Sequence, residues 1–210
     1  MAGDCEQALA SPGRQGRAGG ALLAVAAPLM AGMMIAVRLR TGQMALFRQA
    51  RVTGQRKVAS IIKLRTLTAH DDADTRWTAA EHSPLGWQLR TTHLDELPQL
   101  INVMRGAMSL VGTRPERPYF SARFSREVPR YADRTRMPPG MTGWAQVNGL
   151  NGNTSIFEHA RFDNYYTKYW PIRLDLVILA RTVATVLRGI WAAGEPEDHR
   201  GAPAGGREAL

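Results

Sequence analysis

Cysteine is nearly absent from the chain: Cys5 is the single one in 210 residues. A disulfide framework and a cysteine metal cluster are therefore excluded. Cys5 itself reads as an inert residue in an unstructured tail rather than as a catalytic thiol. Acidic residues are also short in number, 18 against 27 Lys and Arg, which leaves a formal charge of +9. That excess calls for an anionic partner, and nucleic acid, anionic lipid and phosphorylated substrates all qualify. There is no internal repeat. Long apolar runs are few, yet hydrophobic residues make up 44% of the chain. A packed core is within reach and whole-chain disorder is not expected.

Both ends read as disordered. Residues 1–20 are rich in Gly, Ala and Arg without periodicity, and residues 193–210 have the same character. Between them, residues 21–37 (ALLAVAAPLMAGMMIAV) form an uncharged, mostly apolar run. A straight helix of that length spans about 25 Å, short of the roughly 30 Å hydrocarbon core. Pro28 lies mid-run and predicts a kink or break. Arg14 and Arg17 precede the run, and Arg38 and Arg40 follow it. Positive charge on both flanks favours the cytoplasmic side for both ends. A segment over 21–45 that enters and leaves the membrane on one face fits these facts. The flanking charges and the missing small-residue cleavage site disfavour a signal peptide. A buried core helix stays open as the alternative.

Residues 46–66 (LFRQARVTGQRKVASIIKLRT) predict two short strands about a turn near Thr53-Gly54. Residues 67–88 read as a solvated loop. Asp71, Asp72 and Asp74 beside His70 suggest a metal cluster at first sight, but no ligand spacing repeats. The segment LPQLINVM predicts a helix ending near Gly106. Residues 173–191 predict an amphipathic helix with Arg173, Arg181 and Arg188 in one sector. Val177, Ile178, Val183, Ala184, Val186 and Leu187 supply its apolar surface. Such a helix either packs on a core with a basic edge in solvent or lies on anionic headgroups. Both readings stay open.

Three blocks carry candidate chemistry. In LDELPQL, residues 94–100, Asp95 and Glu96 are adjacent carboxylates before an apolar helix. Neighbours on a helix point about 100° apart, so they suit two different jobs. One can attack as a nucleophile while the other holds a hard cation. Acidic residues near a helix start are also ordinary dipole partners, and spacing alone favours that plainer role. In GTRPERP, residues 112–118, Arg114 and Arg117 are framed by Pro115 and Pro118. Rigidly presented guanidinium forks suit phosphate oxygens; surface solubility is the competing role. In PPGMTGWAQVNG, residues 138–149, Gly and Pro crowd around Trp144. The run points to a loop that brings backbone amides close to a ligand, with a tight structural turn as the alternative.

Taken in order, KLRTL, LDELPQLINVMRGAMSLVG, RPERP, PPGMTGWAQVNG and RFDNYYTKYWPIRLDLVILARTV resemble the bacterial sugar transferases. These are monotopic polyprenyl-phosphate sugar-1-phosphate transferases that initiate surface glycan assembly. The resemblance spans about residues 21–190. It implies an α+β, mostly helical fold with a small β-hairpin. A cytoplasmic catalytic domain over 46–192 would carry amphipathic surface helices, with a re-entrant membrane helix broken at Pro28. It implies Asp95 as the nucleophile and Glu96 as a holder of Mg²⁺. Lys63, Arg65, Arg90 and Arg114 match basic positions around the site, and Gln146, Asp163 and Asp175 match polar substrate-side positions. His93 stands where the family usually has Ser, Thr113 where it has Pro, and Ala27 where Ser often precedes the helix-breaking Pro.

The expected reaction moves a sugar-1-phosphate from a nucleoside diphosphate sugar, with UDP-sugars foremost, to polyprenyl phosphate at the cytoplasmic face of the cell membrane. Membrane lipids are the expected surroundings, a homodimer is allowed, and nucleic acid is not an expected partner. The rival reading is a catalytically inactive membrane scaffold of a glycan-assembly complex. It predicts loss of Asp95 or Glu96, and both are present.

Overall fold

The computed structural model describes residues 12–66, 83–150, 154–169 and 172–194. Alternating apolar and polar residues build the first sheet. Strands β1 (Leu46–Val52) and β2 (Val58–Leu64) pair antiparallel in register from Leu46↔Leu64 to Val52↔Val58. The turn falls at the expected place. Gln55 and Arg56 adopt left-handed backbone, φ 56° and 58°, and Thr53 Oγ1 donates to the Lys57 carbonyl at 3.1 Å. Side chains alternate across the sheet, so Arg51 on β1 and Lys63 on β2 emerge on one face together with Ile61. That face carries part of the site.

Residues 83–88 were expected within a loop; most of them instead open helix α2 (Pro84–Thr91). The Ser83 hydroxyl accepts from the Gly86 amide at 3.0 Å, Pro84 loses nothing at the first helical position, and Leu89 is buried. The rest of that segment, including His70 and its neighbouring aspartates, lies outside the described residues. A 3₁₀ turn (Leu94–Gln99) leads into the short helix α3 (Leu100–Met104). The chain leaves it at Gly106, whose φ of 75° is the left-handed stop expected there.

Next come β3 (Ser109–Val111), α4 (Pro118–Glu127), a 3₁₀ turn (Tyr131–Thr135), β4 (Gly140–Thr142) and α5 (Trp144–Val147). Helices α6 (Ile156–Tyr169) and α7 (Ile172–Gly194) close the described chain. β3 and β4 pair in parallel, Ser109 with Gly140 and Val111 with Thr142. Two glycines of PPGMTGW make this pairing possible. A Cβ on Gly140 would sit 2.1 Å from the Gly112 amide nitrogen, and one on Gly143 the same distance from the Gly112 carbonyl oxygen.

Helix α1 (Pro12–Thr41) corrects two expectations. Residues 12–20 are helical rather than disordered, and the helix continues through Pro28 without a break. Packing explains the first difference. A Cβ on Gly19 would lie 2.9 Å from Val103 Cγ1, so the small residues let α1 close on α3. At the other end Val37 is fully buried with Ala45, Leu64 and Leu89. Burying such a side chain contributes roughly 1.5–3 kcal/mol. Pro28 is on the exposed side, where its missing amide and the Ala24 carbonyl it would have served face away from the domain. Leu22, Val25, Leu29, Ile35 and Leu39 form an exposed apolar stripe on the same side. From Gln15 to Thr41 the helix is long and apolar enough to cross a membrane.

Helix α7 packs on the core by one face and leaves another exposed. Ile178 is fully buried in a cluster with Val111, Met137 and Tyr166. Leu176, Val183, Leu187 and Trp191 stay exposed in an apolar stripe on another face. Its basic edge is not wholly in solvent, because Arg181 stacks 5.4 Å over the Trp144 ring and donates to Asn148 Oδ1 at 3.1 Å. The helix ends at Gly194, just past the point where disorder was expected; residues 195–210 lie outside the described residues. The architecture is α+β, mostly helical, with one small hairpin.

Candidate active site

The 3₁₀ turn at 94–99 presents the carboxylate pair. Its geometry begins with His93, a non-glycine residue at φ 57°. Strain of this kind persists only where the surroundings hold it, and it clusters at functional sites. Asp95 and Glu96 follow, both buried, with 6% and 9% of their surface exposed. Unpaired carboxylates are rarely found at such depth.

Glu96 is firmly held. Its Oε1 lies 2.6 Å from Lys63 Nζ and 3.3 Å from Arg114 Nη2. Burial pushes the Glu96 carboxyl up, but Lys63 and Arg114 outweigh it and keep the group well below the usual carboxylate range. Lys63 is pressed down by burial, and the Arg114 and Arg51 charges add to that, while Glu96 works to keep it charged. At 2.6 Å the two groups are in direct contact. Asp95 differs. Among the described residues it makes no ion pair within 4.0 Å, and burial together with the Glu96 charge pushes its carboxyl up, against Lys63 and Arg90. Two adjacent carboxylates thus carry opposite shifts, the pattern expected of groups with different chemical tasks.

Lys63, Arg90 and Arg114, expected from the sequence, do converge on this pair; Arg90 acts through its charge from the exposed end of α2. Gln146 lies beside them in an open hollow that shares Glu96 and is lined also by His93, Thr142, Thr182 and Val186. Arg65 sits at the base of the hairpin, donating to the Met44 carbonyl at 3.1 Å and lying over the Phe47 ring. Asp175 accepts from Tyr166 Oη at 2.6 Å and joins α6 to α7. Asp163 is 1% exposed and lies 2.6 Å from Arg134 Nη2. Pro28 is in α1, outside the hollow.

Sequence reasoning missed Arg51, Glu116, His93 and Arg134. Arg51 Nη1 lies 3.5 Å from Glu116 Oε1 and donates to the Pro115 carbonyl, so it braces the RPERP segment. Burial, opposed by Glu116 and aided by Arg114 and Arg117, lowers its pKa to about 10. The two-residue alternation of β1 was the available signal, since it puts Arg51 on the same face as Lys63.

The fold and the site define a domain that sets a buried acidic pair among fixed cations, beside one long apolar helix. Comparison with known proteins makes the assignment specific. The bacterial sugar transferase family model matches residues 17–189, and the chain belongs to that family. It is 39% identical over 174 residues to the UDP-glucose:undecaprenyl-phosphate glucose-1-phosphate transferase of Caulobacter vibrioides, covering 79% of this chain and 65% of that protein. Against the Escherichia coli protein of the same name it is 33% identical, covering 77% of this chain and 37% of the relative. An Aeromonas hydrophila UDP-N-acetylgalactosamine-undecaprenyl-phosphate N-acetylgalactosaminephosphotransferase is 34% identical, covering 79% and 40%. The chain therefore spans between about a third and two thirds of the length of these relatives.

Proposed function

We propose that the chain transfers a sugar-1-phosphate from a nucleoside diphosphate sugar to polyprenyl phosphate. The observation that carries this reading is the split between the two carboxylates: Glu96 locked by Lys63 and Arg114, Asp95 buried and unclamped beside it. The names of the relatives point to UDP-sugars as donors and undecaprenyl phosphate as acceptor.

In the first step an Asp95 carboxylate oxygen attacks the phosphorus that bears the sugar. The bond from that phosphorus to the bridging oxygen breaks, and the nucleoside monophosphate leaves with the bond's electrons. In the second step a polyprenyl phosphate oxygen attacks the same phosphorus and expels the Asp95 carboxylate. A bare carboxylate would be repelled by a diphosphate. Lys63, Arg114 and Arg90 reverse that sign, and in a partly dry site they are already oriented when charge shifts.

Mg²⁺ fits the donor set. The described residues hold no cluster of three or more His, Cys, Asp or Glu, but Mg²⁺ commonly uses one or two carboxylates and takes its other ligands from phosphates and water. Lys63 and Arg114 both engage Oε1 of Glu96, which leaves its second oxygen as the hard donor. Bound there, Mg²⁺ would neutralise diphosphate charge.

The exposed stripe of α1 is the membrane-inserted surface in this reading, on the cytoplasmic face where the basic flanks of the segment are retained. Re-entry on one face would require this helix, continuous through Pro28, to bend within the bilayer, and Pro28, which has no amide to close its turn, is the place for that bend. The acceptor phosphate then meets Asp95 at headgroup level. Intact-protein mass spectrometry tests the chemistry. Nucleotide sugar alone should release up to one equivalent of nucleoside monophosphate and leave the sugar phosphate on Asp95. An unmodified mass, where added polyprenyl phosphate gives rapid turnover, would refute the covalent route.

A further inference from the structure

Arg134 is 3% exposed and takes no part in the chemistry above. A buried Arg–Asp pair is an expensive way to fill a core, costing several kcal/mol of desolvation per ion, and apolar side chains often do as well. The contacts of this pair suggest what it does. Nη2 of Arg134 lies 2.6 Å from Asp163 Oδ2 and donates to the Arg114 carbonyl at 2.8 Å. Nη1 donates to Tyr131 Oη at 2.6 Å. The Arg134 carbonyl in turn accepts from Thr113 Oγ1 at 2.9 Å. Two consecutive residues, Thr113 and Arg114, are therefore tied to one buried arginine, whose guanidinium Asp163 of α6 holds in place. The Arg114 side chain leaves the same backbone for Glu96, 3.3 Å away.

We propose that Thr113, Arg134 and Asp163 are positioning residues that fix the Arg114 backbone and so aim its guanidinium at Glu96 and the donor diphosphate. The proposal rests on the reading that Arg114 meets that diphosphate. It gives Asp163 a role that needs no contact with substrate, in keeping with its burial. A displacement of about 1 Å in a reacting or binding group can cost up to about 100-fold in rate, so a slack tether is kinetically visible.

Thr113→Val removes one hydroxyl while keeping the shape of the side chain, and Thr113→Ser keeps the hydroxyl. Both suit the full chain purified in detergent and assayed for nucleoside monophosphate release with UDP-sugar and polyprenyl phosphate. Thr113→Val should lower kcat/KM for the nucleotide sugar about 5- to 20-fold, mainly through KM, with Thr113→Ser within about 2-fold of the parent. Asp163→Asn should act in the same direction and more strongly. In an Arg114→Ala background the Thr113→Val change should cost less than about 2-fold more, because the group it positions is gone. Losses that multiply fully in the Arg114→Ala background would overturn the proposal. So would a Thr113→Val enzyme with parental KM and only a smaller folded fraction by thermal scan. Arg114→Ala with parental kcat/KM would instead remove Arg114 from the substrate site, and the positioning role with it.

Discussion

Lys63→Met should cost much stability as well as activity, and the two losses have one origin. The Lys63–Glu96 pair is 2.6 Å long, with side chains 17% and 12% exposed. Exposed pairs contribute about 0–1 kcal/mol, whereas removing one partner of a buried pair typically costs about 3–5 kcal/mol. Arg114 remains 3.3 Å from Glu96, but it is the more exposed cation at 31%. The lower end, about 3 kcal/mol, is therefore expected. Methionine replaces most of the lysine stem, so lost charge rather than a cavity accounts for the change. Glu96→Gln in the same chain should recover part of it, with a coupling of about 1.5–3 kcal/mol in the double-mutant cycle.

The pH dependence has a definite sign. The folded pKa of Glu96 lies below its ordinary value of 4.5, so its ion pairs stabilise the fold above that pH. The contribution is lost as pH falls from there through the folded value. Urea unfolding followed by circular dichroism should show the full gap between parent and Lys63→Met at neutral pH and a shrinking gap below pH 4.5. Turnover should fall by about 100-fold or more, since a preorganised charge beside the diphosphate has been removed. A stability loss under about 1 kcal/mol, or a gap that ignores pH, would refute the ionic pair.

Asp95→Asn should cut nucleoside monophosphate release at least about 1,000-fold and abolish the covalent adduct. It should also raise the thermal midpoint at neutral pH. Folding raises the Asp95 pKa from 3.8, so the carboxylate subtracts stability as pH climbs from that value through the folded one, and asparagine does not ionise. Gly140→Ala drives a Cβ to 2.1 Å from the Gly112 nitrogen, backbone against backbone, and should cost about 3 kcal/mol or more in chemical unfolding. Val25→Asp, at an 81% exposed position on the α1 stripe, should release protein from sedimented membranes while Val25→Ala does not, because a carboxylate at bilayer depth costs roughly 2.5–3.5 kcal/mol.

Local rules made much of the fold legible. The hairpin at 46–64, the stop at Gly106 and the long C-terminal helix each rest on alternation, a left-handed glycine or a helical period within one segment. Long-range packing set what was misread. Residues 12–20 looked too rich in glycine to order, yet Gly16 and Gly19 are where α1 closes on Met104 and Val103. Pro28 looked like a break, but its side of the helix faces away from the domain, where a lost backbone bond disturbs no packing. In PPGMTGW the glycines suited either amides near a ligand or a tight structural turn. Gly140 and Gly143 serve the approach of β4 to Gly112, about thirty residues earlier, which no local pattern could announce.

The site divides in the same way. Asp95, Glu96, Lys63 and Arg114 were legible because their blocks carry a pattern, and the fold brings them together across separations of 33 and 18 positions. Arg51 and Arg134 were not. One looks like an ordinary strand arginine and the other like one more cation in a basic stretch, RYADRTR. What sets them apart is burial and the carbonyls they reach, Pro115 for Arg51 and Arg114 for Arg134, which belong to consecutive residues. The residues that act on charge are thus visible one block at a time, whereas those that hold the actors still are defined only by the packed structure. A substitution at either arginine should accordingly weaken the site without touching a group that meets substrate.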